Sequence, residues 1–82
     1  MNYSLILIKI GKRDNVSSSV QKILTEFGCN IKVRLGLHDL PENSCSSSGL
    51  IILEVTGEKH ELEKAVENLN KIKEVKAQLI EI

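Results

Sequence analysis

RLGLHDLPENSCSSSGLIILEV, residues 34–55, is the stretch that decides the fold. It reads as an edge strand, a polar loop and a buried strand. Upstream, the alternation begins at Ile31: Ile31, Val33, Leu35 and Leu37 point one way, and Lys32, Arg34, Gly36 and His38 the other. That pattern predicts a strand buried on one face, with the helices expected over its apolar row. Asp39 to Ser48 is a loop by composition. Gly49 to Thr56 is apolar on both parities through its centre, the mark of a strand covered on both sides.

Working outward, Tyr3 to Ile10 is also apolar on both parities, and Gly11 to Asn15 is a turn rich in Gly, Asp and Asn. Val16, Val20, Ile23, Leu24 and Phe27 form one stripe of an amphipathic helix. Asp14 or Asn15 is its expected N-cap, and Gly28 its left-handed stop. Cys29, next to that stop, is expected to be a small buried hydrophobe. Gly57 to about Asn70 is a second helix, with Leu62, Ala65, Val66 and Leu69 on its apolar side and Glu67 and Lys71 placed for an ion pair. His60 falls on its solvent side. Val75 to Ile82 is a fourth strand.

The order β-α-β-β-α-β, with right-handed crossovers, gives an α+β ferredoxin-like sandwich: a four-stranded antiparallel sheet, order 4-1-3-2, with two helices on one face. Burial agrees, because the first and third strands, apolar on both faces, take the centre. Residues 1–82 make one domain. Two helices cover one face only, so the other, still apolar, predicts a partner. A second copy is the simplest one, as a homodimer or homotetramer joined through the helix-free face or an edge strand.

Composition removes several classes of function. Lys plus Arg and Asp plus Glu number 11 each, for a net charge of zero. A nucleic-acid surface or an anionic-membrane patch wants clustered positive charge. The apolar run at the start is too short for a signal peptide or a membrane span. With Cys29 and Cys45 as the only cysteines, no disulfide framework is expected, and a reducing cytoplasm is the default.

Arg34-x-Gly36-x-His38, the polar loop and Ser48-Gly49-Leu50-Ile51-Ile52-Leu53-Glu54-Val55, followed by the TGEKHELEKAVENL helix and the KIKEVKAQ return strand, resemble the iron-only hydrogenase system regulator family. The resemblance covers essentially the whole chain. It implies an ACT-like fold, more distantly similar to the effector domain of the nickel-responsive repressor. It also implies pairing through sheets and binding of small molecules near the pairing interface. The spacing of that repressor's metal ligands is not shared here, and no catalytic motif or cofactor accompanies the resemblance.

Arg34, Gly36 and His38 are the first candidate site, expected on the helix-free face. Gly36 leaves a gap between two long polar side chains; Arg34 suits a carboxylate or phosphate, and His38 a proton or a metal. A solvated edge strand explains the same residues. His38, Asp39, Glu42 and Cys45 are chemically adequate for a transition metal, with His38 and Cys45 the core of that reading, although a plain polar hairpin loop accounts for them too. Gly11, Lys12 and Arg13 lie where the first strand meets the first helix. Gly11 permits close backbone approach, and free N–H groups with two cations suit an anion; an ordinary capped turn is the alternative. These readings make the chain a non-enzymatic regulatory module that senses an unidentified small molecule, or else a metal sensor. A lone His and a lone Cys lack the third, orienting group that an enzyme needs.

Overall fold

The computed structural model describes residues 2–11, 16–38 and 49–82; for Leu37 and His38 it gives the backbone register. The elements are β1 (Ser4–Ile10), α1 (Val16–Glu26), a 3-10 turn (Gly28–Asn30), β2 (Ile31–His38), β3 (Gly49–Val55), α2 (Lys59–Asn70) and β4 (Val75–Glu81). The strands form one sheet of order β2-β3-β1-β4, and every neighbouring pair is antiparallel. This is the expected 4-1-3-2 arrangement. The doubly apolar strands β1 and β3 occupy its centre.

Ile6, Ile8 and Ile10 of β1, Leu53 and Val55 of β3 and Val75 of β4 are buried on the helix side. They meet Val16, Val20 and Leu24 of α1 and Leu62, Ala65 and Leu69 of α2. Both helices thus bury the stripe their spacing marks out. No helix among the described residues is long and apolar enough to cross a membrane.

Local hydrogen bonds tie the ends together. Glu61 Oε1 accepts the Glu58 N–H at 3.1 Å, one half of a capping box at the start of α2. At the other end, Asn70 treats β4 as a strand would: its Nδ2 donates to the Ala77 carbonyl at 3.0 Å and its Oδ1 accepts the Ala77 N–H at 2.7 Å. That occupies outward-facing backbone groups on an edge strand that would otherwise offer them to another chain. The expected Glu67–Lys71 pair is present at 3.7 Å, exposed and therefore worth little.

Two local expectations are corrected. Gly28 does not adopt a left-handed conformation; Gly57 is the only described glycine with positive φ. Helix α1 instead runs into the 3-10 turn, which buries none of its residues, so Cys29 is exposed rather than packed inside.

Gly57 has φ +125°, and a Cβ there would run into the Asn30 side-chain amide. Asn30 is itself committed: its Nδ2 donates to the Thr56 carbonyl at 2.9 Å, and its carbonyl accepts the Thr56 N–H at 2.8 Å. Gly57→Ala should therefore cost about 1–3 kcal/mol, from backbone strain plus disruption of this clasp. Urea unfolding checks it, and a loss below 0.5 kcal/mol (~the surface-substitution range) would contradict the account.

The main correction concerns β2. Its register against β3 shifts between Ile31 and Val33, leaving Lys32 as an extra residue in a β-bulge. Before the bulge, Ile31 is opposite Val55 and packs on the core. After it, Arg34 is opposite Leu53, Gly36 opposite Ile51 and His38 opposite Gly49, all positions on the helix side. One inserted residue exchanges the two faces of everything that follows. Val33 and Leu35, expected under the helices, lie on the helix-free face and are 53% and 51% exposed.

Candidate functional site

The backbone brings two of the predicted groups to the same end of the sheet. His38 is opposite Gly49, Gly49 is opposite Ile10, and Ile10 leads directly into Gly11. The end of β2 and the exit of β1 thus lie two strand spacings apart, about 10 Å. Arg34 stands further along β2 beside α1, where its Nη1 donates to Gln21 Oε1 at 2.7 Å. The expectation that Arg34, Gly36 and His38 belong to the helix-free face is overturned by the bulge; they share the helix side, along the outer edge of the sheet.

Gly36 keeps the property the sequence assigned to it. No described atom comes within 4 Å of the place a Cβ would occupy, so among the described residues nothing blocks approach to the strand there. Arg34 is exposed, and its bond to a neutral glutamine leaves the guanidinium charge uncompensated by that contact. Together they form an open polar shelf beside α1.

Gly11 is half-buried, and its N–H donates to the Glu74 carbonyl at 2.7 Å. Glu74, the one described non-glycine residue with positive φ (71°), turns the chain from α2 into β4 against it. Lys9, Gly11, Glu74, Val75 and Lys76 line a shallow depression of about 340 Å³. Between helices and sheet lies a cavity of about 10 Å³, bounded by residues such as Ile6, Phe27, Ile31 and Leu62. That is roughly the room one water needs, so this cavity is too small for an organic ligand.

Lys12, Arg13, Asp39, Glu42 and Cys45 lie outside the described residues, as do the candidate caps Asp14 and Asn15. The metal reading centred on His38 and Cys45 rests on them. Among the described residues, no three His, Cys, Asp or Glu side chains are grouped to hold a metal ion. His60 is exposed on α2, as expected, with its Nδ1 3.5 Å from Glu58 Oε2.

Sequence reasoning missed the composition of the helix-free face on the edge strands. Leu5 and Leu7 of β1, Leu50 and Ile52 of β3 and Ile80 of β4 are half-buried there, beside the exposed Val33 and Leu35 of β2. Apolar side chains on this face therefore come from all four strands, not just the central pair, with β2 adding Val33 and Leu35 and β4 adding Ile80. The signal was present in the alternation of β2, but its side depended on the bulge.

The sheet order, antiparallel pairing and two helices define an ACT-like member of the ferredoxin-like folds. Solved structures share it. The uncharacterized protein TM1266 from Thermotoga maritima superposes with a TM-score of 0.84 at 17% identity, covering 100% of this chain and 99% of that one. The ACT domain of GTP pyrophosphokinase from Chlorobium tepidum gives 0.70 at 11% identity, covering 98% and 97%. The apo form of CPII from Thiomonas intermedia K12, a nitrogen regulatory PII-like protein, gives 0.62 at 10% identity, covering 100% and 90%. CPII bound to ADP, AMP and acetate gives 0.55 at 13% identity, covering 99% and 88%. No family model matches the sequence, and neither does any curated protein.

Proposed function

We propose that this chain is a non-enzymatic, ligand-sensing regulatory module of the cytoplasm that works as a homo-oligomer. The observation that carries this reading is the helix-free sheet face, which presents apolar side chains on all four strands, mainly on β1, β2 and β3. A small domain gains stability by covering such a face, and a zero net charge offers no long-range repulsion against a second copy. The fold is one in which regulatory domains occur, and the whole-chain resemblance to the hydrogenase system regulators supports regulation over catalysis. The ligand site in this reading is the polar shelf of Arg34, Gly36 and His38, near the point where Gly11 leads into Lys12 and Arg13.

Sedimentation of the intact chain at micromolar concentration should show a dimer or larger assembly. A monomer under those conditions would remove the oligomeric part. For the sensing part, thermal unfolding against adenine nucleotides, acetate and free amino acids provides the test. A binder at 100 times its Kd adds about 2.7 kcal/mol, which for a domain of this size raises Tm by roughly 10 °C or more. Arg34→Ala and Gly36→Val should each abolish that shift while leaving the unliganded Tm nearly unchanged. If both variants respond like the parent chain, the ligand binds elsewhere.

A further inference from the structure

Resting on the self-association proposed above, we infer how two copies meet. Their helix-free faces stack about a two-fold axis that runs across the strands at the level of Leu7, so that Glu54 of each copy lies against the Lys9 row of the other.

The charges on the face carry this. Lys9 and Lys76 are directly opposite one another in the β1–β4 pair, and both are exposed. Like charges opposed across a sheet are destabilising, and neither lysine ion-pairs with a described residue. The same face carries Glu54 near its other end, opposite Leu5. Its carboxylate is 3.6 Å from Lys32 Nζ through one oxygen, and a carboxylate accepts more than one cation. Between these two levels lies the neutral row through Leu35, Ile52, Leu7 and Gln78.

A two-fold axis parallel to the strands would set the Lys9–Lys76 row of one copy over the same row of the other. Four ammonium groups would then share a desolvated end of the interface, and juxtaposed like charges act strongly against association. An axis across the strands reverses their direction. Centred on Leu7, it sets the Lys9 row over the Leu5–Glu54 row, because both are two residues from Leu7 along β1. A lysine and a glutamate from adjacent strands together span the ~10 Å between facing sheets. The area is adequate: four strands of about seven residues project over roughly 23 by 19 Å, and two such faces remove on the order of 1,000 Å² or more from water.

The test is the dimer dissociation constant of the full chain at low salt, measured by sedimentation for Lys9→Glu, Glu54→Lys and the double variant, with circular dichroism confirming the fold. Each single reversal should weaken the dimer by roughly tenfold or more, and the double swap should restore most of that loss. Lys76→Glu should change it less than Lys9→Glu, because in this register Lys76 lies over Ile80 of the other copy, two strands from Glu54. A tighter dimer for Lys9→Glu would overturn the register, because it would mean that the lysine rows face each other. Unchanged constants in a dimeric parent chain would overturn it as well, while leaving the oligomer in place. A monomeric parent chain removes the self-association reading itself, and this register with it.

Discussion

Leu69→Ala should lower the unfolding free energy by about 3–5 kcal/mol. Leu69 is 0% exposed, and it projects from the last turn of α2 into the cluster formed with Ile6, Leu53 and Leu62. Truncation removes three carbons from water-free surroundings and leaves a cavity under a helix held on both sides, where little collapse is possible. A chain of 82 residues has a total stability of roughly 4–12 kcal/mol, so this one change takes a large share of it. At a slope of about 1 to 1.5 kcal/mol per molar urea, the midpoint should fall by roughly 2 M or more. Leu69→Met, which conserves volume, should cost less than about 1.5 kcal/mol and separates loss of packing from loss of the site's identity. The measurement belongs at fixed protein concentration, because association stabilises the folded state by mass action. A loss under ~1 kcal/mol with an unchanged slope would mean that α2 does not seat on the sheet as described.

Leu35→Asp should act on assembly and leave the fold intact. Leu35 is 51% exposed on edge strand β2, so the isolated domain loses little by the change. Within a stacked pair of sheets, its row is the centre of the contact, and each copy would bring one carboxylate into an apolar interface with no cation on that row. Two such groups together cost about 3 kcal/mol or more, which is on the order of 100-fold or greater in the dissociation constant. The expected result is a monomer by light scattering at concentrations where the parent chain is associated, with an unchanged circular dichroism spectrum. Wild-type association by Leu35→Asp would place the contact on an edge strand or on the helices instead.

The element order and the sheet order were legible in the residues. Strand from helix was separable because the apolar period changes from two in Ile31–His38 to that of Val16, Val20, Leu24 and of Leu62, Ala65, Leu69. The central strands were legible because LILIKI and LIILEV are apolar on both parities, a pattern that suits strands flanked on both sides in the sheet. The exposure of Cys29 was not legible, since burial of a small residue beside a helix end depends on how the chain turns there. Nor was the role of Asn70, whose amide reaches β4 only because α2 ends beside that strand. For the candidate site, Gly36 as a gap was legible from residue type, while its side of the sheet was not.

Residues 34–55 thus hold both lessons. Local sequence by itself determined that β2 has one apolar and one polar row, that β3 is central and that a loop joins them. Those are properties of side-chain chemistry repeated every second residue. Only the tertiary structure decided which row of β2 meets the helices. The extra residue at Lys32 changes parity, and it shows only in the pairing with β3, just past the Asn30–Thr56 clasp. With that single shift, Arg34 and Gly36 leave the open face, Val33 and Leu35 join it, and the apolar surface predicted from two strands extends onto the edge strand β2.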